Sequence, residues 1–249
     1  MSGHNKWSSI KHKKGAADAK RGKVFTKLGK EIVIAARMGG SDLESNPRLR
    51  TAVQAARSQN MPKDNIERAI KRGTGEIEGV VYEEITYEGY GHGGVAILID
   101  CTTDNKNRTV AEVRHTLGKY GGSMAESGSV SWNFEQKGFF LIPAEGKDED
   151  EFMMEALEAG AEDVKLEDDM FEVYTVASDF HTVMKNFEDA GYEPQEPALI
   201  KVPKTTVNAD DVAEKLMKLL DHLDDLDDTQ KVWANFDISD EIMEKLNQE

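Results

Sequence analysis

The chain of 249 residues has one cysteine, six prolines and six histidines, and no apolar run long enough to cross a bilayer. Each scarcity excludes something. A lone Cys101 cannot form an internal disulfide, a cysteine-based zinc site or an iron–sulfur cluster. Without about 18 consecutive apolar residues, no transmembrane helix is expected. The opening Met1-Ser2-Gly3-His4-Asn5-Lys6-Trp7 lacks the apolar stretch of a signal peptide. His4, His12, His92, His115, His181 and His222 show no ligand spacing such as His-x-x-x-His. The glycine clusters at 91–94 and 121–122 fit no phosphate-loop fingerprint. These absences predict a cytoplasmic protein that is not an enzyme, with no metal, small-molecule substrate or membrane partner.

What is present is charge, unevenly placed. The formal net charge is −16, yet residues 1–78 carry 17 Lys and Arg against 8 Asp and Glu, a net +9. Residues 79–249 carry 14 against 39, a net −25. In the first thirty residues Lys6, Lys11, Lys13, Lys14, Lys20, Arg21, Lys23, Lys27 and Lys30 face only Asp18. A basic arm on an acidic body is a signature of contact with a polyanion, head toward the phosphates and body away. The alternative is a basic face that neutralises the protein's own acidic body.

The apolar spacing divides the chain. Val24, Leu28, Ile32 and Ala35 share one helix face, with Lys20, Lys23, Lys27, Lys30 and Arg37 opposite and Gly39-Gly40 as the stop. Arg21 and Ile34 fall on the wrong sides of that division. Asn46-Pro47 starts a second helix and Pro62 a third, ending at Gly73. Beyond residue 80 strands appear: Val81–Tyr90, Val95–Ile99, Ser129–Phe134 and Gly138–Ile142, with a helix from Lys106 to Lys119. Residues 137–204 read βαββαβ, the ferredoxin-like order. Residues 205–249 supply one strand, spread over Val232, Ala234, Phe236 and Ile238, and cannot form a sheet alone. The predicted fold class is therefore multidomain α and α+β: an N-terminal three-helix bundle plus two α+β domains, one of them ferredoxin-like. The expected boundaries are a basic helical-bundle domain 1–78, a discontinuous domain of 79–136 with 205–249, and an inserted ferredoxin-like domain 137–204. Three domains in series is the alternative.

Several segments resemble the YebC family from end to end. They are Gly3-His4-Asn5-Lys6-Trp7-Ser8-Ser9-Ile10-Lys11-His12-Lys13-Lys14, Asn46-Pro47-Arg48-Leu49-Arg50, Met61 to Ile70, Tyr87-Glu88-Gly89-Tyr90, Thr102 to Thr109, and Trp233-Ala234-Asn235-Phe236. The resemblance implies three domains with an N-terminal helical bundle, and no cofactor. Bacterial members are assigned as DNA-binding transcriptional regulators. A mitochondrial relative activates translation of a cytochrome oxidase subunit, and ribosome-linked roles at proline-rich stretches are attributed to bacterial members.

The candidate nucleic-acid-binding residues are Lys6, Trp7, Lys11, His12, Lys13, Lys14, Lys20, Arg21, Lys23, Lys27 and Lys30. The lysines suit phosphate contact, and Trp7 either stacks on an unpaired base or anchors the arm. Arg48, Arg50, Arg57, Arg68, Lys71 and Arg72 read as a solvated face. No helix-turn-helix with a reading helix rich in Arg, Asn and Gln is evident. Thr102–Thr109 reads as a capped strand-to-helix turn; an anion held at its N–H groups near Arg108 and Arg114 is the other reading. Cys101 reads as a buried small hydrophobe. Asp221, Asp224, Asp225, Asp227 and Asp228 lack the glycine and glutamate of a calcium loop and read as a solvated acidic turn. The expectation is a DNA-binding transcriptional regulator. A translation factor on ribosomal RNA is the rival, and a protein-binding regulatory module the third reading.

Overall fold

The structure, a computed structural model, describes residues 18–167 and 169–248. These hold eight α-helices and ten strands in two compact units. The first runs to Asn133 and resumes at Pro203; the second is Phe134–Val202.

The first unit opens with α1 (Asp18–Gly39), α2 (Pro47–Ser58) and α3 (Lys63–Gly73). Ile32, Val33, Ala35, Leu49, Val53, Ala56 and Ile66 make their common core. Two local devices fix this bundle. The Asn46 side chain accepts from the Leu49 N–H at 3.1 Å, capping α2, and donates to the Ala35 and Gly40 carbonyls at 2.8 and 2.9 Å, closing the end of α1. Gly73 is the close-approach residue: a Cβ there would lie 2.4 Å from the Val33 carbonyl oxygen, so α3 can end against α1 only as glycine.

A four-stranded antiparallel sheet follows in the order β3-β1-β2-β9, from β1 (Glu83–Tyr90), β2 (Ala96–Thr103), β3 (Ser123–Met124) and β9 (Thr229–Ala234). The register sets Tyr87 opposite Ile99 and Ile99 opposite Val232. Helices α4 (Lys106–Lys119) and α7 (Ala213–Asp224) contribute Val113, Leu117, Leu216, Leu219 and Leu220 to a core with Ile97 and Ile99. Each fully buried Leu or Ile there is worth about 1.5–3 kcal/mol. A short parallel pair, β8 (Val207–Asn208) with β10 (Phe236–Asp237), and α8 (Asp240–Gln248) complete the unit.

The second unit has the strand order β5-β6-β4-β7, from β4 (Phe134–Pro143), β5 (Asp163–Glu167), β6 (Met170–Val176) and β7 (Gln195–Pro203). With α5 (Glu149–Glu158) after β4 and α6 (Phe180–Asp189) after β6, this is the ferredoxin-like arrangement. Phe140, Phe152, Phe171 and Phe187 fill its core, with Phe152 stacked on Phe171 at 4.0 Å.

Two strand expectations are corrected. Ser129–Phe134 is not a strand. Its amides bond to a side chain, as described below, and Ser131–Asn133 is a 3₁₀ turn. The alternating run Val232 to Ile238 is not one strand but β9 and β10, broken at Asn235. That side chain accepts from the Ala96 N–H at 2.7 Å and donates to the Thr205 carbonyl at 3.1 Å, which turns the chain from one sheet to the other.

Candidate nucleic-acid interface

Of the eleven candidate residues, Lys6, Trp7, Lys11, His12, Lys13 and Lys14 lie outside the described residues. Lys20 and Arg21 fall in the first turn of α1, and their side chains too lie outside what is described. The structure brings the other three together, against the protein itself. Lys23 Nζ donates to the Asp225 carbonyl at 2.9 Å. Lys27 Nζ donates to the Asp224 carbonyl at 2.8 Å and its carboxylate at 3.2 Å. Lys30 Nζ donates to the Thr102 and Asp227 carbonyls at 3.1 and 2.9 Å and to Asp228 Oδ1 at 2.8 Å. Ile34, one turn further along this stripe, is fully buried. The apparent basic face of α1 is thus an internal docking face over these positions. For Lys27 and Lys30 the ion pairs with Asp224 and Asp228 match the alternative of a basic face turned on the protein's own acidic residues, while Lys23 stays exposed and reaches a backbone carbonyl.

The acidic turn is correspondingly not solvated throughout. Asp228 is 2% exposed and is the hub of a polar cluster. Besides Lys30 it accepts from Thr103 Oγ1 at 3.1 Å, Thr109 Oγ1 at 2.7 Å, and Arg108 Nε and Nη2 at 3.3 and 2.7 Å. Burial pushes its carboxyl up, but Lys30, Arg108 and Thr109 outweigh burial and hold it at about 2. Asp228 and Asp104 in turn raise the Arg108 guanidinium above its ordinary value. Asn105 caps α4 by accepting from the Arg108 N–H at 3.1 Å. The Thr102–Thr109 segment is therefore a capped turn whose nearest cation, Arg108, already holds two carboxylates. Cys101, beside it, is 3% exposed, and burial pushes its thiol up to about 12, which removes it as a nucleophile near neutral pH.

The bundle arginines sort into two groups. Arg48 is held by Glu31 at 2.7 Å and Glu84 at 2.6 Å, and Arg50 donates to the Leu43 carbonyl at 3.2 Å. Arg37, Arg57, Arg68, Lys71 and Arg72 are exposed. Arg37 adjoins the end of α3, since a Cβ on Gly73 would lie 3.2 Å from the Arg37 amide nitrogen. Among the described residues no group of three His, Cys, Asp or Glu is placed to hold a metal ion, and no helix is long and apolar enough to cross a membrane. The acidity concentrates in the second unit: Phe134–Val202 holds 19 acidic residues against five lysines and no arginine, a net −14.

Sequence reading missed the buried carboxylate Glu88. It is 5% exposed and accepts from the backbone N–H groups of Gly128, Val130 and Ser131 at 2.7, 2.7 and 3.0 Å. Burial raises its pKa, and those three donors bring it below the ordinary glutamate value. No composition signal marks a glutamate that binds backbone forty residues away.

A helical head followed by an antiparallel α+β sheet, with a ferredoxin-like unit inserted in the sequence between its two halves, defines a class of multidomain α+β architecture. The comparisons with known proteins particularise it. Residues 5–76 match the model described as TACO1/YebC protein N-terminal domain, and residues 82–236 that of the TACO1/YebC second and third domain. The chain belongs to the TACO1/YebC family. It is 57% identical to a probable transcriptional regulatory protein of Desulforapulum autotrophicum, over 99% of this chain and all of that one. A relative of the same description from Geobacter sulfurreducens is 58% identical, again over 99% and 100%. The crystal structure of a conserved hypothetical protein from Aquifex aeolicus superposes with a TM-score of 0.83 at 48% identity, covering 93% of this chain and 96% of that one.

Proposed function

We propose that the chain is a non-enzymatic, nucleic-acid-binding regulator of gene expression that grips a phosphate backbone with its N-terminal arm. One observation carries this reading: the opposition of charge between the start of the chain and the second unit. Lys6, Lys11, Lys13 and Lys14 occur without an acidic residue before Asp18, while Phe134–Val202 carries −14 and is repelled by the same polymer. Lys23, Lys27 and Lys30 are hydrogen-bonded within the chain, so this reading assigns phosphate contact to Lys6, Lys11, Lys13 and Lys14 and to the exposed Arg37, Arg57, Arg68, Lys71 and Arg72. Duplex DNA is the leading target, in keeping with the transcriptional names of the relatives. Ribosomal RNA is the second reading, as in a translation factor at proline-rich stretches. It is favoured by the composition of the arm, rich in Lys with Trp7 among them, which suits contact with folded RNA.

Binding to promoter and scrambled duplexes at physiological salt, set beside co-sedimentation with ribosomes and protection of rRNA, tests it. Preference for promoter supports transcription. Ribosome association without duplex preference supports translation. Binding to neither polymer rejects the reading and leaves a protein-binding module.

A further inference from the structure

The segment that replaces the expected strand at Ser129–Phe134 presents Trp132 to solvent beside Tyr90, the last residue of β1. Trp132 is 66% exposed and Tyr90 is 39% exposed. Both donate to the same acceptor: Trp132 Nε1 lies 2.9 Å and Tyr90 Oη 3.4 Å from the Ser129 carbonyl oxygen. The segment is held from inside. The Glu88 carboxylate, buried under the loop, takes the amides of Gly128, Val130 and Ser131, and the Val130 side chain is 1% exposed. The Glu88 carbonyl adds a bond from the Ala125 N–H at 2.8 Å, and the loop closes on itself through the Asn133 N–H to the Val130 carbonyl at 3.0 Å.

This arrangement uses a buried charge and seven hydrogen bonds to hold two aromatic rings in water. A tryptophan needed only for packing would be turned inward, since exposing that much apolar surface is unfavourable. Because the indole N–H is taken by the Ser129 carbonyl, Trp132 offers its face and not its polar atom, while the Tyr90 hydroxyl donates to the same carbonyl and keeps its oxygen as an acceptor. Such a surface recognises a flat π-system by stacking on the indole face. Its fixed loop means little ordering is required on binding.

We propose that Trp132 and Tyr90 form a stacking platform for an unpaired nucleobase of a single strand. It is a second contact, distinct from the arm, and it rests on the nucleic-acid reading above. It would make binding selective for unpaired over duplex nucleic acid while remaining indifferent to sequence. Glu88 is a positioning residue that acts through the loop amides.

The test uses the full chain and two fluorescein-labelled probes at physiological salt, a twelve-nucleotide oligouridine and a twelve-base-pair DNA duplex. Trp132→Ala should weaken oligouridine binding by roughly tenfold, the scale of one lost base–aromatic stack, and leave the duplex within about twofold. Trp132→Phe, which keeps a ring, should recover part of the loss. Glu88→Gln should lower oligouridine affinity through the loop, with Trp132 emission shifted in the free protein. Unchanged oligouridine affinity in Trp132→Ala overturns the platform while leaving the arm reading intact. An equal loss on both probes also overturns it. If Trp132→Ala spares oligouridine and weakens an arginine-rich peptide, the rings hold a protein guanidinium instead, and the proposal is rejected. If the unaltered chain binds neither probe, the nucleic-acid reading fails and the platform fails with it. Because Trp132 is exposed, its variants should melt with the unaltered chain; a Trp132→Phe protein that folds but behaves as Trp132→Ala would count against stacking.

Discussion

Lys30 and Asp228 meet at 2.8 Å across 198 residues of sequence, with side-chain exposures of 8% and 3%. Helix α1 is thereby tied to the end of the loop after α7, and through Asp228 to Thr103 at the end of β2 and to Arg108 and Thr109 at the start of α4. Removing one partner of such a pair leaves the other charge buried without compensation. Asp228→Ala is expected to cost roughly 3–5 kcal/mol of unfolding free energy in urea titrations. A loss below about 1 kcal/mol would mean that water replaces the carboxylate without strain. Lys30→Met, which fills the same space without charge, should cost less than Lys30→Ala.

The same cluster sets a pH dependence. The Asp228 carboxyl sits at about 2 in the folded chain against an ordinary 3.8. A depressed carboxylate contributes stability that is fully present above its unfolded value and is lost as pH falls through its folded one. The stability gap between the unaltered chain and Asp228→Asn should be constant from neutral pH to about 5. It should then narrow as the pH is lowered through 3.8 toward about 2. A gap that widens on acidification would contradict the assignment of Lys30 and Arg108 as its stabilising partners.

Cys101 gives an independent check on the core of the first unit. With its thiol raised to about 12 by burial and lying 3% exposed, it should resist aromatic disulfide reagents in the native protein at pH 8 and react within seconds in denaturant. Fast reaction of the native chain would show that β2 opens locally.

The helices and most strands could be read from residues near one another: the Asn46-Pro47 start, the Gly39-Gly40 stop and the βαββαβ order need only local spacing. The site could not. The lysines of α1 repeat at helical spacing whether they face solvent or an acceptor. Four of the six acceptors given above are backbone carbonyls, of residues 224, 225, 227 and 102, which leave no mark in side-chain composition. Asp228 looked like one aspartate among five because burial depends on what packs over it. Ser129–Phe134 has strand-like residues, yet its Val130 and Ser131 amides have an acceptor in Glu88, 42 and 43 positions upstream.

The second unit makes a separable claim. We expect Phe134–Val202, expressed alone, to fold cooperatively, because its two helices and four strands enclose their own phenylalanine core. Its net −14 should prevent measurable binding to duplex DNA or rRNA at physiological salt. A fragment without a cooperative melt would argue that this boundary is set by the rest of the chain. A fragment that binds nucleic acid would reverse the proposed orientation of the molecule.

The division of labour among the lysines is the most direct test of the interface. Replacing Lys6, Lys11, Lys13 and Lys14 with Gln removes up to four phosphate contacts, so the slope of log K against log salt on duplex DNA should flatten by roughly 3 to 4. The loss should be similar on matched and scrambled sequences, because lysine contacts to phosphate position without specifying. The melting temperature should hardly change. Replacing Lys23 and Lys27 with Gln should do the opposite. Their ammonium groups lie 2.9 and 2.8 Å from the carbonyls of Asp225 and Asp224, so their loss should lower the melting temperature by a few degrees. The salt slope should stay within experimental error, since these charges are not available to phosphate. Should the Lys23 and Lys27 variant flatten the slope instead, α1 must leave the acidic turn to bind. Nucleic acid and Asp224–Asp228 would then compete for the same lysines, and affinity would rise when Asp224 and Asp225 are neutralised.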